Sequence, residues 1–240
     1  MPIYTVPAGG AEVPLSVAPD CGDFLPSTGG EIPLPSHISL NGSSDDPLVV
    51  YQPATGRDWE LWRASTSSGD GLSACWGGML YVDGSSGVFS GDYGLSATGI
   101  SYLATSITQA DVATGRIDHA IALSVPRCNG FTYPAVRGDC GHDPGQPAEG
   151  QWFRLPPGLP MPPELPPFAQ MVFTALQRYG AVIIDQAGAV MLEAEQPSDW
   201  SAEGHTGRAP TVVASDGLPE YSVVAKLPWD KLQAVDPPAG

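Results

Sequence analysis

The chain has 240 residues, of which only 15% are charged, and its 26 acidic side chains are offset by just 10 basic ones, for a formal net charge of −16. Such a surface repels a phosphate backbone, which excludes nucleic acid and leaves neutral or cationic ligands. The 29 glycines and 26 prolines leave little room for long helices, and no apolar run reaches the ~18 residues of a membrane span.

The start, Met1-Pro-Ile-Tyr-Thr-Val-Pro7, has neither the basic nor the apolar region of a signal peptide, so a leaderless product made in the cytoplasm is expected. Residues 1–46 are rich in Pro, Gly, Ser and acidic side chains. They predict an extended arm that wraps the domain or docks on a neighbour. A single domain is expected over 47–240. Leu48-Val-Val-Tyr-Gln52, a Pro53-Ala-Thr-Gly56 turn and Arg57-Asp-Trp-Glu-Leu-Trp62 read as a hairpin with a four-residue loop. A strand follows over 72–83, where Gly77-Gly78 marks a bulge or a close backbone approach.

Residues 106–115 predict a short helix capped by Ser106 or Thr108 and ended by Gly115, and 117–125 a strand. The loop 127–151 holds Cys128 and Cys140, which could close it as a disulfide. Four cysteines allow three pairings, and spacing does not choose among them. After a short strand at Trp152 and a proline-rich stretch, the apolar residues Phe168, Met171, Val172, Ala175, Leu176 and Tyr179 recur at helical spacing. That spacing predicts a helix over 168–179. The segments 181–185 and 189–193 read as a hairpin, 211–215 and 221–225 as late strands, and 229–235 as a terminal helical turn. Many short strands with one amphipathic helix point to a mostly-β fold, a β-sandwich or jelly roll with a packed helix and long Pro/Gly-rich loops.

Strand alternation places Asp58, Glu60 and Trp62 on one face. Two carboxylates beside an indole suit a sugar, the ring stacking on it and the carboxylates taking hydroxyls. A solvated acidic edge is the plainer reading. Adjacent Asp118 and His119 suggest general-base chemistry, but in a strand they point to opposite faces. His119 then heads the apolar stripe of Ile117, Ile121, Leu123 and Val125, while Asp118 pairs with Arg116 or lines a groove floored by small residues. Asp139, His142 and Asp143, with the distant His37 and His205, form an oxygen-rich set that would favour calcium. The EF-hand pattern is absent, and neither a metal nor another cofactor is expected. The nucleophile-elbow, zincin, P-loop and dinucleotide signatures are missing.

The succession Leu48-Val-Val, Trp59-Glu-Leu-Trp62, Gly115-Arg-Ile-Asp-His-Ala120, Phe153-Arg-Leu155 and Leu176-Gln-Arg-Tyr-Gly180 with Asp185 resembles a family of actinobacterial and actinophage β-sandwich proteins. The resemblance spans about residues 46–200 and carries no catalytic residues with it. Together with heavy Ala, Gly and Pro usage and scarce Lys, it implies a virion protein such as a minor tail component. The expectation is a structural or recognition protein that binds a cell-envelope glycan near Asp58, Glu60, Trp62 and Asp118. Its arm would contact other virion or surface proteins, and identical copies could assemble. The rival is a polysaccharide-cleaving enzyme using Glu60 with Asp118 or Asp185 as acid and nucleophile.

Overall fold

The computed structural model describes residues 1–40, 42–66, 71–83, 86–196 and 224–236. The fold is mostly β, with mixed sheets and one long packed helix. In chain order come β1 (Ile3–Thr5), β2 (Glu12–Val17), α1 (Leu25–Thr28), β3 (Glu31–Pro33), β4 (Leu48–Gln52), β5 (Arg57–Trp62), β6 (Ser65–Thr66), β7 (Leu72–Ala74) and β8 (Trp76–Tyr81). They are followed by α2 (Tyr102–Thr105), α3 (Gln109–Thr114), β9 (Ile121–Val125), β10 (Trp152–Arg154), α4 (Pro167–Arg178), β11 (Ala181–Gln186), β12 (Met191–Leu192) and β13 (Gln233–Val235). Among the described residues no helix is long and apolar enough to cross a membrane.

Among the described residues the strands form three sheets, ordered β3-β2-β7-β6, β1-β4-β5-β8 and β12-β9-β11-β10-β13. The first packs on one face of the second, burying Leu15, Ile32 and Leu72 against Leu48, Val50, Trp59 and Leu61. The other face of the second sheet meets the third through Ile3, Val49, Ala122, Val182 and Ile184. Helix α4 covers the far side of the third, seating Phe168, Val172, Phe173 and Leu176 against Ile121, Leu123 and Ile183. Each large side chain buried there contributes on the order of 2 kcal/mol. Strand β4 is covered on both faces, so its Leu48-Val-Val50 start is buried residue after residue and does not alternate. The parallel pairs β1/β4, β2/β7 and β9/β11 separate this order from an antiparallel jelly roll.

Residues 1–46 contribute both strands and core side chains. Strand β1 extends the second sheet, and Tyr4, Val6, Leu15, Phe24 and Ile32 are all core residues. These apolar side chains are scattered in short groups along the segment, yet together they cover the outer face of the β4–β5 hairpin.

The hairpin forms with its four-residue loop. The 72–83 segment breaks at Cys75, which is bonded to Cys21. A Cβ on Gly78 would sit 2.8 Å from Gly94 N and 2.9 Å from Tyr93 Cβ, so that glycine marks a close approach. Thr108 caps α3 in a capping box with Asp111, and Gly115 ends it in the left-handed region. Strand β9 starts only at Ile121, leaving Asp118 and His119 in the connection before it. The 181–193 segments do not pair with each other. Strands β11 and β12 flank β9 on opposite sides, because the turn after Gln186 carries the chain across the end of β9. Helix α4 starts at Pro167 and ends at Arg178, leaving Tyr179 exposed. The predicted strand at 211–215, and most of that at 221–225, lie outside the described residues. The terminal segment gives a short 3-10 turn at Trp229–Lys231, followed by β13.

Candidate functional site

Strand β5 alternates as expected, but the face carrying Asp58 and Glu60 is an inner one. Trp59 and Leu61 point to the first sheet. Asp58 and Glu60 therefore point into the gap between the second and third sheets, and both are 0% exposed. Ser101, at the start of α2, meets them there. Its Oγ lies 3.1 Å from Asp58 Oδ2 and 2.8 Å from Glu60 Oε1, and Leu103 N–H donates to the same Glu60 oxygen at 3.0 Å. Serine has one hydrogen to give. A proton retained on Asp58 and donated to Ser101 completes the second bond. Burial pushes both carboxyls up, Asp58 well above its usual range with the neighbouring Glu60 charge adding to the effect, and Glu60 to about 7. Asp58 Oδ1 and Glu60 Oε2 have no hydrogen-bond partner.

At the edge of this gap opens a cleft of about 920 Å³. Trp62 and Trp76 line one part of it, and Tyr102, Asp139, Asp185 and Glu193 another. Tyr93 stacks on Trp76 with ring centroids 5.9 Å apart, and the Trp76 indole N–H donates to Asp92 O at 2.8 Å. Arg137 brings a cation to the wall. Its guanidinium donates to the carbonyls of Tyr93, Gly94 and Ser96.

Asp185 reaches the cleft because of a bulge. Ile183 opposes Leu123 and Asp185 opposes Ser124, so Ile184 is an extra residue in β11. Regular alternation would send Asp185 with Ile183 towards α4. It sits instead on the Ile184 side, where Tyr102 Oη–H donates to its Oδ2 at 3.1 Å. Asp139 and Glu149, from the loop between β9 and β10, complete the cluster. One carboxylate oxygen from each of Asp139, Glu149 and Asp185 lies within 4.8 Å of the other two. Glu149 is fully buried. Its Oε2 accepts from Asp139 N–H at 3.1 Å and Cys140 N–H at 3.4 Å, and its Oε1 has no hydrogen-bond partner. Burial, and then the adjacent Asp139, pushes Glu149 up to about 8, and burial takes Asp185 to about 6. The Cys128–Cys140 disulfide closes the loop that holds these donors.

Of the candidates read from sequence, Asp58 and Glu60 come together but away from solvent. Trp62 lines the cleft half-buried, its indole N–H donating to Asp45 Oδ1 at 3.1 Å. Asp118 is elsewhere, exposed and ion-paired with Arg116 at 2.5 Å. His119 finds its carboxylate in Asp111, 3.1 Å from Nε2, rather than in Asp118. The loop set disperses: Asp143 pairs with Arg127 at 2.6 Å, while Asp139 joins Glu149 and Asp185. His205 lies outside the described residues. Glu149 escapes sequence reasoning because it has neither strand nor helix periodicity around it. Gly138 is the one local hint: a side chain there would strike Glu149 Oε2. Compared with protein-family models, curated proteins and solved structures, the chain finds no match.

Proposed function

We propose that the protein is a recognition module that takes a saccharide of a cell envelope into the cleft between its sheets. One observation carries this reading: a single open cleft holds two indoles, Trp62 and Trp76, together with Asp139, Asp185 and Glu193. Indole faces suit the apolar side of a sugar ring, and carboxylates accept its hydroxyls. The acidic chain favours a neutral or cationic glycan. Two disulfides, one of them lining the cleft, suit a protein that works in an oxidising setting, on a particle or a cell surface. Placement on a phage particle rests on the motif resemblance and the composition.

The test is binding of soluble arabinogalactan, peptidoglycan fragments and glucans, followed by calorimetry and tryptophan fluorescence. One of these should bind saturably, and Trp62→Ala and Trp76→Ala should each weaken it at least about tenfold. No binding across the panel overturns the proposal. Release of reducing ends from any of these glycans also overturns it, in favour of a hydrolase.

A further inference from the structure

We infer that Asp139, Glu149 and Asp185 form a calcium-type divalent-cation site in the wall of the cleft. The donors are hard oxygens, the kind that calcium selects. Their spacing fits one ion. Oxygens bound to one calcium at 2.3–2.6 Å lie roughly 3–5 Å from one another, and one oxygen from each of these three groups lies within 4.8 Å of the other two.

The second observation is Glu149 itself. It is 0% exposed, and its Oε1 has no hydrogen-bond partner beside two further carboxylates. An unpartnered buried carboxylate oxygen costs several kcal/mol unless a cation or a proton meets it. No side chain supplies the cation. None of the three carboxylates makes an ion pair among the described residues, and Arg137, two positions before Asp139, gives its guanidinium to carbonyls. The mounting is firm on one side and open on the other. The Asp139 and Cys140 N–H groups hold Glu149 Oε2, while Tyr102 Oη–H and Gln186 N–H hold the two oxygens of Asp185, which leaves Glu149 Oε1 as the oxygen without a protein donor. Asp139 and Asp185 both line the cleft, so the ion would keep coordination positions for water or for a ligand's hydroxyls.

The test is calcium titration of the full chain by calorimetry in physiological salt with excess magnesium, which suppresses loose binding to the acidic surface. One saturable site is expected. Glu149→Gln and Asp185→Asn should each weaken it at least tenfold, while Asp118→Asn, exposed and outside the cleft, leaves it unchanged. Terbium gives a second readout: Tyr102 beside Asp185 should sensitise its luminescence, and Tyr102→Phe should dim it. Absence of a saturable site, or wild-type affinity in whichever of the two carboxylate variants folds, overturns the inference. The readout is independent of glycan binding, so loss of the saccharide reading leaves this one standing or falling by itself.

Discussion

Ser101 gives its side-chain hydrogen to Glu60 across 2.8 Å, in the gap between two sheets where neither residue meets solvent. The same Ser101 oxygen accepts the Ala104 amide as the N-cap of α2. One hydroxyl thus ties a helix start to the acid pair of a central strand, and α2 in turn carries Tyr102 to Asp185. The buried pair and the cleft are two ends of one connected structure.

The first prediction concerns the pH dependence of that pair. Glu60 titrates near 4.5 in an unfolded chain and about 7 here, so between those values the fold holds a proton that the unfolded chain has lost. Stability should therefore fall as pH rises through that window, by on the order of 3 kcal/mol from this group. Glu60→Gln mimics the protonated form and keeps an acceptor for Ser101 and Leu103. Urea unfolding should show a flatter pH profile for this variant, and a higher midpoint than wild type above pH ~7. An unchanged slope in the variant would show that the proton is held elsewhere.

A second prediction concerns His119 and Asp111. Burial works against the charged ring, but the hydrogen bond to Asp111 outweighs it and raises His119. Asp111, also opposed by burial, is lowered by its bonds to His119 and Thr108. The histidine's contribution is complete below its unfolded value of 6.5 and is lost as pH rises through the folded one. The aspartate's contribution is present above 3.8 and is lost as pH falls. The pair thus supports the fold most in mildly acidic solution. His119→Gln should cost about 1 kcal/mol more near pH ~5.5 than near pH ~8.5. Thermal melts at the two pH values would show this difference, and equal losses would remove the charged pair from the account.

How much of this was legible depended on how local each signal was. The β4–β5 hairpin, the Thr108/Asp111 capping box and the period of α4 are written within a few residues, and they form almost as read. That Asp58 and Glu60 share a face was equally plain. Which side that face looks to was not, because β4 is apolar on both sides and the covering residues Val182 and Ile184 come more than a hundred positions later. Asp185 defeats alternation through one extra residue in β11. Glu149 lies in a loop whose sequence gives no period at all. The core residues before Asp46, from Ile3 to Ile32, are spread over thirty positions with no helix or strand period between them, so no window of sequence shows them as a group.

The two disulfides should contribute unequally. Cys21–Cys75 closes a separation of 54 residues and Cys128–Cys140 one of 12. Loop-closure entropy gives about 4 and about 3 kcal/mol respectively. Paired Cys→Ala variants, unfolded in urea, should rank in that order. Only the second pair adjoins the donors of Glu149, so its removal should also weaken calcium binding. If the first variant loses calcium and the second retains it, the loop does not mount the site.

Gly138 offers the sharpest local test. It does not have a positive φ, so alanine is acceptable to its backbone, yet a Cβ would strike Glu149 Oε2. Gly141, in the same loop, also lacks a positive φ and has nothing within 4 Å of a built Cβ. The two substitutions thus share their backbone chemistry and differ only in what the methyl meets. Gly141→Ala should change stability by no more than about 0.5 kcal/mol and leave calcium binding as it is. Gly138→Ala must push Glu149 off the Asp139 and Cys140 amides, leaving a buried carboxylate without its donors. It should cost about 2 kcal/mol and weaken calcium at least tenfold. Equal behaviour of the two variants would mean that Glu149 is not held where its hydrogen bonds place it.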